Sequence, residues 1–263
     1  METDLKPLTD VMTRLLAEDG CPWDKAQTHE TLRRYILEET HEVIEAIDNK
    51  DMENLKEELG DVLLQIVFHA KLAEKDGDFT MQDVVDTESE KMIRRHPHIF
   101  GDIKVNSAED VAANWEEIKK REKAAKGETE ASKSIMSGLP PTLPALMKAE
   151  KVQKKARRVG FDFDNIEETK EKLLEELHEV EEALKGNGDI EDEVGDLLFS
   201  AVNYARFAKV DPEQALNHST NKFVNRFKSM ERKIMLDKKE FDNYTVEELN
   251  ILWDAAKSEE TLK

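Results

Sequence analysis

The sequence predicts an all-α protein made of two tandem copies of one helical bundle. Of the 263 residues only 10 are Gly and 7 are Pro, and 6% are aromatic, which favours helices over a sheet. Apolar residues recur at helical spacing through long segments of the chain. The motif E-E-x-H-E, followed after a gap by E-x-G-D, occurs twice in the same order. The repeat indicates that one half-chain was duplicated.

The spacing of the two copies predicts where the domains lie. The shift is 137 from Glu39 to Glu176 (176 − 39) and 135 from Asp61 to Asp196 (196 − 61), so the second copy has a shorter loop between its acidic helices. A stretch rich in Lys, Glu, Ser and Gly that closes with Leu-Pro-Pro separates the copies. We therefore predict an N-terminal helical domain over 1–123, a linker over 124–141 and a C-terminal helical domain over 142–263.

Five helices are expected in the first half, separated by turn-forming and helix-capping residues. Gly20 and Pro22 mark the first turn. Thr28 is the expected N-cap of the next helix, and because Thr31 rather than Glu stands three residues later, no full capping box is expected. Pro97 ends the fourth helix. The expected helices are 5–16, 28–48, 52–75, 80–95 and 107–123, the third burying Leu55, Leu59, Val62, Leu63, Ile66 and Val67.

The second half repeats this order of elements. Asp211 is the expected N-cap of a helix that Pro212 opens at its first turn. Gly60 and Gly195 stand inside the second acidic helix of their halves, which suggests a close approach to the backbone there. The expected helices are 143–158, 166–184, 190–208, 212–236 and 245–258.

Four carboxylates in each half are candidate metal ligands. Acids three residues apart share a helix face, and an antiparallel hairpin would bring two such pairs together. Like charges at short range need compensation, and a hard divalent cation, Mg²⁺ first and Mn²⁺ as a substitute, suits oxygen ligands. With 59 acids in the chain a single pair is more often a solvated face, but the recurrence favours a metal site. The candidates are Glu39, Glu42, Glu58 and Asp61, and Glu176, Glu179, Glu193 and Asp196.

Each half also carries a Lys and an Arg four residues apart, and both residues shift by 131 between the halves. Such residues are usually ordinary surface cations, but opposite a bound cation they would suit phosphate oxygens. A tryptophan follows each pair and is a candidate for base stacking. The candidates are Lys91 and Arg95 with Trp115, Lys222 and Arg226 with Trp253, and Lys172, one turn before Glu176.

Two E-x-x-H pairs open a rival interpretation. Glu38 with His41, and Glu175 with His178, have the spacing that carries di-iron in ferritin-like bundles. The second helix of each half supplies E-x-x-D instead of another E-x-x-H, which disfavours di-iron. The chain contains no Walker A loop, no G-x-G-x-x-G and no G-x-S-x-G.

Charge and composition exclude several classes of partner. The formal net charge of −20 argues against a nucleic-acid polymer or an anionic membrane. The single cysteine, Cys21, forms no intramolecular disulfide and indicates a reducing compartment. Neither a secretory signal nor a bilayer-spanning stretch is found, so we expect a soluble cytoplasmic protein.

The motifs resemble those of the all-α nucleoside triphosphate pyrophosphohydrolases. Nearly the whole chain is similar to the two-domain MazG-type members of that group. The matching stretches are Cys21-Pro22-Trp23-Asp24, Glu57-Glu58-Leu59-Gly60-Asp61, Arg94-Arg95-His96-Pro97-His98, Leu143-Pro144-Ala145-Leu146, Val159-Gly160-Phe161-Asp162 and Lys222-Phe223.

The resemblance implies two tandem MazG-like repeats and hydrolysis of NTPs and dNTPs to monophosphate and pyrophosphate, with Mg²⁺ and broad base tolerance. It also implies a homodimer in which helices of both subunits build each site. The acids of each half would bind the metal, Lys222 and Arg226 would hold the triphosphate, and Trp253 would contact the nucleotide. The short second loop, 185–189, departs from the family's pattern, so a basic contact that the family draws from this loop is not carried over to this chain. A nucleotide-binding regulator without turnover, or a scaffold whose first copy is structural, stays open.

The surroundings of the cations predict that the second half carries most of the turnover. In the second half, Lys222 and Arg226 alternate with two phenylalanines, Phe223 and Phe227, which can pack and hold their helix in place. In the first half Arg95 runs into His96 and Pro97, so we expect it at a less constrained helix end. Because catalysis needs charges held in place, we expect the first half to bind nucleotide or metal with weaker activity.

Overall fold

The computed structural model describes residues 4–125 and 134–261, and every regular element in these two stretches is helical. The prediction of an all-α protein is therefore confirmed. The chain divides into two compact units, Met1–Lys126 and Gly127–Lys263. The last helix of the first unit extends to Ala125, into the stretch predicted as a linker, and residues 126–133 of that stretch lie outside the described residues.

The first unit has seven described helices, two more than the sequence predicts. The two extra ones are four-residue turns that begin at Pro22 and Pro97, where proline's fixed φ suits the first helical position. The helices are α1 (Lys6–Leu15), α2 (Pro22–Lys25), α3 (His29–Asn49), α4 (Met52–Asp76), α5 (Met81–Arg95), α6 (Pro97–Phe100) and α7 (Ala108–Ala125).

The second unit has the five helices that the sequence predicts, with ends that differ by at most three residues. Asp211 caps the fourth of them by accepting a hydrogen bond from the backbone N–H of Gln214, as expected. The helices are α8 (Ala145–Arg157), α9 (Ile166–Leu184), α10 (Ile190–Phe207), α11 (Pro212–Leu236) and α12 (Val246–Thr261), with one 3₁₀ turn at Phe241–Asn243.

The start of α3 corrects one expectation about capping. The Thr28 hydroxyl accepts from the backbone N–H of Thr31 at 3.3 Å, and the backbone N–H of Thr28 donates to the Thr31 hydroxyl at 2.9 Å. A reciprocal capping box is thus present, because a threonine hydroxyl reaches the same N–H that a Glu would satisfy.

Each unit is built around a hairpin of two long helices, α3 with α4 and α9 with α10. In the first hairpin only two residues separate the helices, Lys50 in the left-handed conformation and Asp51 as the cap of α4, so the helices run antiparallel. The core of the first unit consists of Met12, Leu32, Val67, Phe68 and Leu72. None of the described helices is long and apolar enough to cross a bilayer.

The apolar face of α4 is buried only in part. Val67 is fully buried, as expected, whereas Leu59 and Ile66 are exposed, which corrects the prediction that both belong to the core. Exposed apolar side chains recur at equivalent places on the second hairpin. These matched apolar positions are Leu37 with Leu174, Ile47 with Leu184, and Leu59 with Val194. Both hairpins therefore expose apolar side chains at these three equivalent positions.

Candidate metal centre

Three carboxylates come together on each hairpin. In both groups, one oxygen atom from each of the three residues lies within 4.8 Å of the others. Two of the acids belong to the second helix of the hairpin and one to the first, so the antiparallel packing brings them together. The groups are Glu39, Glu58 and Asp61 in the first unit, and Glu176, Glu193 and Asp196 in the second.

The fourth predicted acid of each unit lies at the edge of its group. Glu42 is within hydrogen-bonding reach of the carboxyl groups of Glu39 and Glu58. Glu179 stands in the same relation to Glu176. Each cluster therefore consists of a tight triplet with a fourth carboxyl group beside it.

The donor atoms fit a divalent cation. Glu58 is 9% exposed and Glu176 only 4%, so two acids that prefer water lie in the protein interior. In each, the buried Oε2 has no hydrogen-bond partner among the described residues. Buried charged oxygens of this kind require a partner, and an all-carboxylate donor set selects a hard cation over soft transition metals. These residues therefore fit a bound divalent cation.

Repulsion within the first cluster changes how its acids ionise. Burial, together with the charges of Asp61 and Glu42, raises the pKa of Glu39 above its ordinary value. Burial and the neighbouring Glu42 raise the pKa of Glu58 in the same way. Ionising all four groups is costly without a compensating cation.

A lysine compensates part of this charge in the second cluster. The Lys172 ammonium lies 2.8 Å from the Oε1 atom of Glu175 and 2.7 Å from the Oε1 atom of Glu176, and these hydrogen bonds raise the pKa of Lys172. The equivalent position in the first unit is Tyr35 (172 − 137). The hydrogen bond with Glu176 and burial raise the pKa of Glu179, while Lys172 opposes them. The two clusters thus share their acids but differ in local charge.

The cations of the second unit lie on α11, beside aromatic rings. The Arg226 guanidinium is 5.7 Å from the centroid of the Trp253 ring on α12. The Phe223 ring lies 4.9 Å from that of Trp253 and stacks on Phe227 at 6.1 Å, in agreement with the expected packing of the two phenylalanines. Lys222 is exposed on the same helix. Arg226 and Trp253 are therefore in mutual contact.

The cations of the first unit are not loose, which corrects the expectation for Arg95. Its Nη2 and Nε atoms lie 2.7 Å and 3.2 Å from Oε2 of Glu122 on α7. Arg94 donates to the other oxygen of Glu122 at 2.7 Å, and Lys91 is ion-paired with Glu88. Arg95 is thus held firmly by an acid of its own chain.

Trp115 lies in the first unit on α7, the helix that also carries Glu122. Its ring packs edge-on against His96 at 5.4 Å, and Lys119 lies 5.3 Å above it. The indole nitrogen is buried without a hydrogen-bond partner among the described residues. Trp115 thus packs beside the end of α5, next to Arg95.

Two interpretations from the sequence find no counterpart in the described geometry. A Cβ atom built on Gly60 or Gly195 meets no atom within 4 Å, so no side chain or neighbouring helix of the described residues approaches these glycines closely. His41 and His178 are exposed and stand outside both carboxylate groups, so the geometry does not support the di-iron alternative.

Sequence reasoning missed Glu122 and the contact of Lys172 with Glu176. Glu122 is 27 residues from Arg95, and no local pattern links an acid on α7 to a cation on α5. The contact of Lys172 could have been found, since residues four apart on a helix are neighbours and the aligned repeats set Lys172 against Tyr35.

The family model of the MazG nucleotide pyrophosphohydrolase domain matches residues 27–100 and 164–230. The chain belongs to the MazG family. The two matched segments contain the acids of both hairpins, so the tandem MazG-like repeats expected from the sequence are present. Every predicted metal ligand lies within the MazG segments.

Relatives over nearly the full length support this membership. The chain is 47% identical over 250 residues to a protein of Thermotoga maritima named nucleoside triphosphate pyrophosphohydrolase/pyrophosphatase MazG, covering 95% of this chain and 94% of the relative. It is 40% identical over 258 residues to the nucleoside triphosphate pyrophosphohydrolase of Escherichia coli K12, covering 96% and 97%. A crystal structure of a MazG-related protein from Thermotoga maritima aligns with 44% of this chain and 98% of its own, at 32% identity and a TM-score of 0.39.

Proposed function

We propose that this MazG-family chain hydrolyses nucleoside triphosphates, ribo- and deoxyribo-, to the monophosphate and pyrophosphate with broad base tolerance. The observation that carries the proposal is a buried carboxylate oxygen in each repeated acid cluster, at Glu58 and Glu176, that has no hydrogen-bond partner within residues 4–125 and 134–261. A nucleoside triphosphate would carry a divalent metal ion to these oxygens. Its negatively charged phosphates would bind the Lys and Arg side chains of the chain. The relatives from Thermotoga maritima and Escherichia coli are named nucleoside triphosphate pyrophosphohydrolases, which supports the hydrolysis of nucleoside triphosphates.

Mg²⁺ is the proposed cation, with Mn²⁺ as a substitute, because both accept carboxylate ligands readily. When bound, Mg²⁺ would supply charge neutralisation for phosphate oxygens and would lower the pKa of a water molecule. The residues that would hold it in the second unit are Glu176, Glu193 and Asp196 with Glu179 beside them, and in the first unit Glu39, Glu58 and Asp61 with Glu42 beside them.

The chain's own cations would bind the triphosphate. Arg226 offers a planar fork for phosphate oxygens and Lys222 a compact point charge from the same helix face. Lys172 already contacts the acid cluster and would hold phosphate charge beside it. Trp253 offers a ring face for the base, and stacking on a ring tolerates any base because every base has a π-face.

A homodimer is proposed as the functional assembly. The support is the set of matched apolar positions, which both hairpins expose at equivalent places, as with Leu37 and Leu174. A large apolar surface on a helical hairpin is typical of an interface. Sedimentation equilibrium on the full chain should give twice the mass of one chain.

Pyrophosphate release is the direct test of the proposed activity. The full chain is incubated with Mg²⁺ and a panel of ribo- and deoxyribonucleoside triphosphates, and monophosphate, pyrophosphate and orthophosphate are measured. We expect monophosphate and pyrophosphate in equal amounts from several bases, and no product after chelation of the metal. Nucleotide binding without product would favour a regulator, and orthophosphate release would indicate cleavage of a different bond.

The acid cluster also predicts how the protein responds to pH and metal. Because the pKa of Glu39 is raised in the folded protein, the folded state holds the proton of this carboxyl group more tightly than the unfolded state does. The free energy of unfolding of the metal-free protein therefore falls as pH rises from about 4.5 through the raised pKa. Glu39→Gln removes one charge and should raise the metal-free melting temperature at pH 7 by roughly a few degrees.

The same variant should respond less to metal. Mg²⁺ should stabilise the wild-type chain at pH 7 and progressively less as pH falls through the raised pKa of Glu39, since protons compete for the same oxygens. Glu53→Gln, on the exposed side of α4 in a pair with Lys56, is the control and should behave like the wild type. Equal metal responses of Glu39→Gln and wild type would remove the first cluster as a metal site.

A further inference from the structure

A cavity of about 800 Å³ lies between α5 and α7 of the first unit. Its volume is in the range of small-molecule sites. Four cations and a few apolar side chains line it, and three acids stand among them. The cations are Lys91, Arg94, Arg95 and Arg121, the acids Glu90, Glu117 and Glu122, and the apolar side chains Pro97, Ile103 and Ile118.

Two of these cations have no cationic counterpart in the second unit. The shift of 131 that relates Arg95 to Arg226 places Asn225 opposite Arg94. The shift of 138 that relates Trp115 to Trp253 places Glu259 opposite Arg121. At these two positions the first unit therefore has a cation where the second unit has none.

Glu122 occupies the centre of this positive charge. Each of its two carboxylate oxygens accepts a 2.7 Å hydrogen bond, one from Arg94 and the other from Arg95. The side chains of Arg95 and Glu122 are only 21% and 17% exposed, so the pair is sheltered from water. These hydrogen bonds, that of Arg95 above all, lower the pKa of Glu122 to about 2, so it stays ionised at neutral pH.

We infer that this cavity is a polyphosphate-binding site and that Glu122 is its internal competitor, an anion that a polyphosphate must displace from Arg94 and Arg95. The inference rests on the proposed function for the class of ligand, a nucleoside triphosphate. Two guanidinium groups converging on paired oxygens form the arrangement that binds phosphate. The apolar walls formed by Ile103 and Ile118 give the uncharged part of a nucleotide a surface to contact.

The competitor also explains why the first unit should bind nucleotide weakly. An incoming phosphate has to break charge-assisted hydrogen bonds that are already made, so only the difference between old and new bonds appears as affinity. A chain with three or more phosphates reaches Lys91 and Arg121 as well, which a single carboxylate does not. Affinity should therefore rise steeply with the number of phosphates.

Binding to the full chain tests the inference once the second unit's cations are removed. In a chain carrying Lys172→Gln, Lys222→Gln and Arg226→Gln, we would measure calorimetric binding of inorganic tripolyphosphate and of ATP with a methylene bridge between its α and β phosphates, with Mg²⁺ present. Adding Glu122→Gln should tighten both by roughly tenfold or more, because it removes one charge-assisted competitor. The matched control is Glu117→Gln, an acid of the same cavity whose partner Arg121 is exposed, and it should change binding less than threefold.

Unchanged or weaker binding in Glu122→Gln, with an unaltered melting temperature, would overturn the inference. If Glu122→Gln unfolds the unit, Arg94→Gln in the same background decides. Arg94→Gln removes one of the two guanidinium groups that would bind phosphate, so tripolyphosphate binding should fall. Undiminished binding would contradict the proposed site. Wild-type chain that hydrolyses no nucleotide would refute the proposed function, whereas normal hydrolysis with no effect of Glu122→Gln would refute only this inference.

Discussion

Glu193→Gln should lower the rate of pyrophosphate release by roughly 10²–10³-fold while the protein stays folded. Losing a ligand charge from a metal site removes several kcal/mol of transition-state stabilisation, and each 1.36 kcal/mol is about tenfold in rate. Glu193 belongs to the tight triplet with Glu176 and Asp196, so its charge acts directly on whatever the cluster binds. Glutamine keeps the shape of the side chain and removes only the charge.

Folding should survive this change because the cluster is repulsive without metal. Glu193 adds to the charge that raises the pKa of Glu179, so neutralising it relieves repulsion in the metal-free state. Glu191→Gln is the matched control, an exposed acid in the same first turn of α10. Circular dichroism and the melting temperature of both variants should match or exceed those of the wild type. Near-normal turnover of Glu193→Gln would remove this cluster from the mechanism.

Local features of the chain were enough to predict the helices. The bounds of α9 and α11 agree with the prediction at both ends, since Asn165 and Asp211 cap the first turns and turn residues follow the last ones. Capping and periodicity act within a few residues, so they can be read without knowledge of the fold. Thr31 shows the limit of such rules, because its hydroxyl completes a capping box that the usual motif assigns to Glu or Gln.

The burial of individual apolar side chains was harder to predict, because α4 carries more apolar residues than the other helices of its unit cover. Val67 and Leu59 both belong to the predicted apolar face of α4, yet Val67 is buried and Leu59 exposed. The choice depends on which helices pack against α4, and that is decided by tertiary contacts. The recurrence of the same exposure at Val194 shows that it is a property of the repeat.

The acid clusters could be predicted because the repeat marks them twice, but the state of the cations could not. Arg95 was expected at a loose helix end from the proline that follows it. Instead Glu122, on a helix that is separate in sequence, holds it through two hydrogen bonds. The ion pair depends on how α5 lies against α7, which leaves no trace in local spacing.

The largest contrast between the two units should appear when equivalent acids are changed. Glu179→Gln should lower turnover of the full chain by about 10²-fold or more, and Glu42→Gln by less than about threefold, since loss of metal-site charge matters only where the site turns over. Each acid stands beside its triplet, within hydrogen-bonding reach of one of the triplet's carboxyl groups, so the two changes are chemically matched. Steady-state pyrophosphate release from the full-length variants measures the difference.

The structure changes the reason for this contrast. The first unit is expected to be weak because one sheltered acid, Glu122, binds both Arg94 and Arg95, and a triphosphate has to displace it. In the second unit Lys172 stands directly beside Glu176, where the first unit has Tyr35. A cation at that place can hold phosphate charge against the acid cluster as the substrate binds.

Occupancy of the arginines by Glu122 and a loosely held Arg95 at the end of α5 are two different reasons for a weak first unit. They predict different results for one further variant. If occupancy by Glu122 limits the first unit, Glu122→Gln should restore part of the activity that Glu179→Gln removes. If the position of Arg95 limited it, freeing Arg95 from Glu122 would loosen the cation further and activity would fall. Greater loss in Glu42→Gln than in Glu179→Gln would reverse the assignment of the units, because the cluster of the first unit would then be the one that turns over.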